Sequence, residues 1–162
     1  MIIRKGIPTD MKSVLGLIQE LADFEKEPDA VVITEEDLIR DGFGTNPLFH
    51  VFVAEEESEP KEIVGIALYY YRYSTWKGKT IHLEDLVVKQ SKRSIGIGYA
   101  LYSEIMKQGK KDGVRRIEWA VLDWNTPAIE FYKKTGAKVL DDWRVAQMDQ
   151  TAIDYFLANK LK

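Results

Sequence analysis

The sequence predicts one mixed α/β domain spanning residues 1–162. The apolar patterns change between helical and strand periods in the order strand, two helices, three strands, helix, strand, helix and short strands. The length of 162 residues, the 45% hydrophobic content and the net charge of −3 fit a single soluble globular domain. These observations indicate a central sheet covered by helices.

The first half of the chain predicts two helices and four strands. Residues 2–4 form a strand, and Thr9 or Asp10 caps a helix whose apolar residues recur every three or four positions as far as Phe24. A capping box at Thr34 opens a second helix, which closes at Gly44. The strands that follow are predicted at 48–54, 63–74 and 80–88, and the last two form a hairpin around Gly78.

The second half predicts helices joined by short strands. A glycine-containing loop at 90–98 leads to a helix ending near 112, and alternation predicts a strand at 115–121. Pro127 suits the first turn of a helix that ends at Gly136. Strands at 138–140 and 143–148 and a helix at 151–159 complete the chain.

Composition excludes several classes of protein. The absence of cysteine removes disulfides, iron–sulfur ligation and a cysteine nucleophile, and it fits a reducing compartment. Two histidines, His50 and His82, make a histidine-rich metal site unexpected, so no metal is predicted. The longest mostly apolar run, residues 63–71, is too short to span a membrane, and the mild acidity argues against a nucleic-acid partner.

The loop Arg93-Ser94-Ile95-Gly96-Ile97-Gly98 follows a strand and opens a helix. Glycines allow a ligand to approach the backbone, and the unpaired N–H groups of a helix start attract anions. Lys89, Lys92 and Arg93 suit a pyrophosphate, although an ordinary strand-to-helix turn has the same pattern. The loop is not a P-loop or a dinucleotide fingerprint, because Tyr99 follows Gly98 and residue 101 is leucine.

This loop resembles the acetyl-CoA pyrophosphate loop of the GNAT N-acetyltransferase superfamily, and residues 125–137 resemble that superfamily's second CoA-contacting helix. The blocks at 18–25, 41–44, 69–70, 74–79, 83–85 and 120–125 are similar to the spermidine/spermine (diamine) and thialysine acetyltransferase group. The resemblance implies the GNAT fold, with a central mixed, mostly antiparallel sheet flanked by helices on both faces. It also implies acetyl-CoA as cosubstrate, a small-molecule amine as acceptor, a cytoplasmic enzyme and a homodimer.

Amine acetylation requires a deprotonated amine, a polarised thioester carbonyl and a proton for the leaving thiolate. By resemblance, Tyr132 protonates the thiolate and Glu84 accepts the amine proton, directly or through water. Burial on the strand would raise the pKa of Glu84. Strand alternation points Glu84 and Asp85 to opposite faces unless a bulge intervenes, so a paired-carboxylate site is not expected. The alternative for Tyr132 is a half-buried helix tyrosine with no catalytic role. The alternative for Asp85 is a structural carboxylate that accepts backbone N–H bonds.

The resemblance also assigns the residues that bind the two substrates. The N–H of Val87 is expected to polarise the thioester carbonyl. Contacts to CoA are expected from Leu86, Val87, Val88, Arg93, Ser94, Ile95, Gly96, Ile97, Gly98, Tyr99, Asn125, Ala128, Tyr132 and Lys133. Contacts to the acceptor amine are expected from Phe24, Glu25, Trp76, Glu84 and Asp142, although Trp76 is equally explained by packing in the hairpin.

One departure from the polyamine enzymes concerns Ser74, which stands where those enzymes carry an aspartate two residues before the hairpin tryptophan, here Trp76. Loss of that carboxylate favours a small amine, such as thialysine, a lysine-like amine or a short diamine, over a long polycation. Because no cysteine is present, direct transfer in a ternary complex is expected. The alternatives are polyamine acetylation, acetylation of protein lysines or N-termini, and a non-catalytic acetyl-CoA-binding module.

Overall fold

A computed structural model describes residues 1–160 of the chain, and it divides them into two compact units, 1–120 and 121–160. The elements of the first unit are β1 (Ile2–Lys5), α1 (Met11–Phe24), α2 (Glu35–Phe43), β2 (His50–Glu55), β3 (Ile63–Ser74), β4 (Gly78–Val88), α3 (Ile97–Lys111) and β5 (Ile117–Glu118). Short 3₁₀ turns lie at Pro8–Asp10 and Gln90–Lys92.

The sheet has the strand order β1-β2-β3-β4-β5. The first four strands pair antiparallel, and β5 pairs parallel with β4 through Ile81–Ile117 and His82–Glu118. The predicted mixed, mostly antiparallel sheet is therefore confirmed. The strand predicted at 115–121 is reduced to two residues, so most of the edge of β4 beyond His82 has no strand partner in the described sheet.

The helices cover both faces of this sheet. On one face, α1 and α2 contribute Met11, Val14, Leu17 and Leu38 to a core that also contains Ile66 and Val87. On the other face, α3 buries Ile97, Leu101 and Ile105. A Cβ at Gly65 would lie 3.0 Å from Leu101 Cδ1, so the close approach of α3 to β3 requires glycine at that position.

Local signals explain where the first helices begin. Thr34 accepts the N–H of Asp37, and the Asp37 carboxylate accepts the N–H of Thr34, which forms the predicted capping box of α2. Asp10 precedes α1, and its side chain is buried. Arg4 donates two hydrogen bonds of 2.7 and 2.9 Å to the Asp10 carboxylate. The ion pair therefore ties the start of α1 to β1.

The second unit contains α4 (Thr126–Lys134) and α5 (Gln150–Asn159). Asn125 caps α4 by accepting the N–H of Ala128 at 3.3 Å, and Asp149 caps α5 by accepting the N–H of Ala152 at 2.7 Å. Both predicted helices are confirmed. The strands predicted at 138–140 and 143–148 are wrong, because residues 137–149 have no helix or strand and expose apolar side chains such as Trp143 and Val145.

Candidate active site

A β-bulge in β4 turns two adjacent carboxylates toward the same space. Leu68 pairs with Asp85 and Tyr69 pairs with Leu83, so Glu84 is the extra residue of the bulge. Glu84 and Asp85 consequently both line a cavity of about 460 Å³. The prediction that these residues are not a paired-carboxylate site is wrong, because the bulge interrupts the alternation on which it rested.

The remaining cavity wall is mostly apolar. It is formed by α1, the segment after it, α2, strand β3 and the residues just before β2, through Ile18, Ala30, Val31, Val32, Ile33, Leu38, Leu48, Phe49 and Leu68. Asp37 and Asp41 also line it, and both are bound by Arg40. A space with apolar walls and four carboxylates, two of them bound by Arg40, suits an ammonium group on a short aliphatic chain.

Burial distinguishes the two carboxylates. Burial, followed by repulsion from Glu84 and Glu25, raises the pKa of Asp85 to about 6. This result differs from the expectation of a carboxylate stabilised by backbone N–H bonds, which would lower the pKa. The side chain of Glu84 is 50% exposed, so the expected burial applies to Asp85 and not to Glu84. Asp85 is a functional candidate that the alternation pattern concealed.

Two side chains from neighbouring strand positions surround Glu84. Burial, followed by the interaction with the Glu84 carboxylate, raises the pKa of Tyr70 to about 12. His82 Nε2 lies 3.6 Å from Glu84 Oε2, and its ring stacks on Tyr70 with centroids 5.2 Å apart. Strand alternation already places His82 on the same face as Glu84, whereas Tyr70 was missed, since its facing depends on the register of the hairpin.

Glu25 and Phe24 connect the end of α1 to this site. The charge of Glu25 contributes to the raised pKa of Asp85, and partial desolvation raises the pKa of Glu25 itself. The Phe24 ring lies under the Arg93 guanidinium, 5.4 Å from its centroid. The structure thus brings Glu25 toward the cavity carboxylates and Phe24 to the loop that follows β4.

The outer edge of β4 offers unpaired backbone beside the bulge. The N–H of Lys89 donates to Val64 O of β3 at 2.9 Å. Because alternate residues of a strand face alternate sides, the N–H of Val87 also faces β3, whereas those of Leu86 and Val88 face the open edge. The N–H of Val87 was predicted to polarise the thioester carbonyl, but in the structure it faces β3 and not the open edge. The side chain of Val87 is buried in the core.

The loop from Arg93 to Gly98 has the geometry of an anion site. Gly96 has φ +90° and is the N-cap of α3, and a Cβ placed there would meet no atom within 4 Å. Ser94 also has positive φ. The side chains of Ile95 and Tyr99 are exposed, whereas that of Ile97 is buried and packs the start of α3 into the core. A helix start of this kind can bind an anion.

The basic residues of this loop already have acidic partners. Lys89 pairs with Glu62, and Lys92 Nζ lies 2.5 Å from Glu56 Oε1. Arg93 donates to Val88 O at 3.0 Å and lies 3.9 Å from Glu20. The glutamates that follow β2 therefore offset the charges of the two lysines. The net positive charge of the loop is smaller than its sequence alone predicts.

The second unit holds the other predicted contacts to CoA. The Tyr132 side chain is buried and packs against Phe131, with ring centroids 5.3 Å apart. Asn125 and Ala128 form the cap of α4, and Lys133 lies exposed in its last turn. Asp142 is exposed between α4 and α5.

Trp76 lies at the tip of the β3–β4 hairpin and is 78% exposed. Ser74 Oγ accepts the N–H groups of Trp76 and Lys77 at 3.3 and 3.2 Å, so Ser74 stabilises this turn. Trp76 does not line the cavity that contains Glu84 and Asp85.

Across residues 1–160, no three histidine, aspartate or glutamate side chains are arranged to hold a metal ion. In the same residues, no helix is long and apolar enough to cross a membrane.

Comparison with known families and proteins agrees with this geometry. The model of the acetyltransferase (GNAT) family matches residues 16–137. The chain is 43% identical over 145 residues to the thialysine N-epsilon-acetyltransferase of Bos taurus, covering 86% of this chain and 85% of that protein. It is 37% identical over 139 residues to the spermidine/spermine N(1)-acetyltransferase-like protein 1 of Homo sapiens, covering 83% of this chain and 20% of that protein.

Solved structures show the same fold. An aminoglycoside N-acetyltransferase in complex with CoA superimposes with a TM-score of 0.70 at 17% identity, covering 91% of this chain and 93% of that one.

Proposed function

Because this chain belongs to the acetyltransferase (GNAT) family, we propose that it acetylates the primary amine of a small molecule such as thialysine, a lysine-like amine or a short diamine. The chain is an acetyl-CoA-dependent N-acetyltransferase. The observation that carries the choice of acceptor is the bulge that places Glu84 and Asp85 in one apolar-walled cavity. Two carboxylates attract an ammonium group, and the apolar wall accommodates its methylene chain.

In the proposed reaction, the amine proton passes to Glu84, directly or through water, while Asp85 adds negative charge behind it. The free amine then attacks the thioester carbonyl, an N–C bond forms, the C–S bond breaks and the nitrogen gives up its second proton to solvent. The N–H groups of Leu86 and Val88 are placed to bind the acyl-pantetheine chain as an added strand would, and they are better oriented than that of Val87 to polarise the carbonyl. Tyr132 supplies the proton to the thiolate.

The remaining CoA contacts follow from the loop and from α4. Residues 93–99 would hold the pyrophosphate at the start of α3, and Asn125, Ala128 and Lys133 would contact CoA from α4. Glu25 and Phe24 would contact the acceptor from the end of α1. Trp76 and Asp142 remain candidate contacts to the acceptor. In this proposal, residues 1–162 work as one domain.

Three further features belong to the proposal. We place the enzyme in the cytoplasm, since its chain carries no cysteine and its cosubstrate is acetyl-CoA. We propose a homodimer, supported by exposed apolar side chains such as Trp143 and Val145 between α4 and α5. Thialysine or a short diamine is preferred to spermine, because Ser74 caps a turn where the polyamine enzymes carry a carboxylate.

The test measures CoA-thiol release from acetyl-CoA with thialysine, lysine, short diamines, spermidine, spermine and a lysine peptide. The proposal predicts the highest kcat/KM for thialysine or a short diamine. A clear preference for spermine would refute the argument from Ser74, and turnover of the peptide alone would favour a protein acetyltransferase. Binding of acetyl-CoA without turnover of any acceptor would favour a binding module.

A further inference from the structure

An imidazole ring lies beside the carboxylate that the proposed reaction uses. His82 Nε2 is 3.6 Å from Glu84 Oε2, and the His82 side chain is only 17% exposed. The ring stacks on Tyr70, which is paired with His82 across the hairpin and whose phenol lies close enough to Glu84 for that carboxylate to raise its pKa. Glu84 therefore has a phenol on one side and an imidazole on the other.

The second ring nitrogen of His82 determines where the imidazole proton lies. Arg72 Nη1 is 3.1 Å from His82 Nδ1, and Arg72 is held by Glu118 at 2.7 Å. A guanidinium group donates hydrogen bonds and cannot accept them, so Nδ1 must be the acceptor. The neutral ring consequently carries its proton on Nε2, the nitrogen that faces Glu84.

Burial also favours the neutral form of the His82 ring. Burial lowers the pKa of His82; Glu84 and Glu118 act to raise it, and Arg72 lowers it further. The facing groups come from three strands: Tyr70 and Arg72 from β3, Glu84 from β4 and Glu118 from β5. Arg72 thus has two effects, because it directs the proton to Nε2 and opposes a second proton on Nδ1.

We propose that His82 is a positioning residue, whose Nε2–H orients the Glu84 carboxylate to receive the amine proton, and that Arg72 sets the required tautomer. This inference rests on the proposed role of Glu84. The 3.6 Å separation is longer than a hydrogen bond, and such contacts tighten when substrate binds or are bridged by one water. A hydrogen bond from Nε2–H would limit the freedom of the half-exposed Glu84 carboxylate to turn away from the cavity.

Two substitutions separate positioning from packing. His82→Phe keeps an aromatic ring on Tyr70 but removes the donor, whereas His82→Gln keeps an N–H donor but loses the ring. Positioning predicts that kcat with the best amine falls about tenfold or more in His82→Phe, with the KM for acetyl-CoA unchanged, and that His82→Gln recovers most of the loss. A packing role predicts the opposite ranking, and that ranking would overturn the inference.

Arg72→Met provides a second test that does not depend on changing His82 itself. Removing the guanidinium raises the pKa of His82, so the ring gains a proton and pairs with Glu84 as the pH falls. We expect the acidic limb of kcat/KM to move to higher pH in Arg72→Met and to return in the double variant Arg72→Met/His82→Gln. An unchanged acidic limb in Arg72→Met, or the same shift in the double variant, would refute the inference.

The variant Glu84→Gln distinguishes failure of the inference about His82 from failure of the proposed function. If Glu84→Gln retains full activity, Glu84 is not the proton acceptor and both proposals are wrong. If Glu84→Gln is impaired but His82→Phe is as active as His82→Gln or more so, the role of Glu84 stands and only the inference about His82 is wrong. Acetyl-CoA binding and the melting temperature of each variant report whether it folds.

Discussion

Replacing Asp85 with asparagine should stabilise the folded chain above about pH 6 while slowing acetyl transfer. Asp85 lies in the cavity beside Glu84, and burial is the main cause of its pKa of about 6. An ionised carboxylate at this position is therefore costly to the fold. Asparagine has nearly the same shape and removes the charge.

The magnitude follows from the difference between the folded and unfolded pKa values of Asp85. A carboxyl that titrates at about 6 instead of 3.8 costs the folded state about 3 kcal/mol once it is ionised. Between these pH values the folded state binds the proton that the unfolded state has released, so wild-type stability falls as the pH rises. The advantage of Asp85→Asn should thus be about 3 kcal/mol at pH 8 and disappear below about pH 4.

The assay is urea denaturation of the wild type and Asp85→Asn at several pH values from about 4 to 8.5, with unfolding monitored by circular dichroism. Asp29→Asn is the matched control, because Asp29 is exposed and the same substitution there should give no pH-dependent difference. A constant difference in unfolding free energy between the wild type and Asp85→Asn across this range would refute the reasoning. The kcat/KM for the amine should fall in Asp85→Asn, because the cavity loses one of the two adjacent carboxylates that β4 contributes.

Three further substitutions test other parts of the account. Tyr132→Phe should lower kcat about 100-fold, the size of a typical general-acid contribution, without changing acetyl-CoA affinity measured by calorimetry. Gly96→Ala places a Cβ at φ +90° in otherwise open space, so thermal melting should show a loss of about 1 kcal/mol, and the KM for acetyl-CoA should rise. Arg4→Met leaves Asp10 buried without its cation and should cost about 2 kcal/mol in urea denaturation, a loss that shrinks as the pH falls and Asp10 of the variant becomes protonated.

The parts of the fold that depend on local signals were predictable from the sequence. The capping box at Thr34, Pro127 in the first turn of α4 and the hairpin around Gly78 each specify a structure through residues a few positions apart. The alternating apolar residues after position 115 predicted a longer strand than the two residues of β5, because alternation cannot show how far a neighbouring strand follows it.

The arrangement of the candidate site was harder to predict, because it depends on contacts between distant residues. The bulge at Glu84 arises from the register between β3 and β4, and no glycine or proline marks it in β4. Lys92 is balanced by Glu56, which lies 36 positions earlier. The resemblance identified Glu84 as a candidate and alternation placed His82 on its face, whereas only the structure revealed that Asp85 is the more buried of the two adjacent carboxylates.

The pH dependence of Glu84→Gln tests the central claim most directly. If Glu84 takes the proton from the acceptor ammonium, the variant should be slow near pH 7 and approach the wild-type rate toward pH 10, where solvent deprotonates an amine with a pKa of about 10.4. The measurement is kcat/KM for the best amine in both proteins, with acetyl-CoA saturating. We predict a ratio of variant to wild-type activity that rises with pH. A ratio that stays constant from pH 7 to 10 would contradict Glu84 as the proton acceptor.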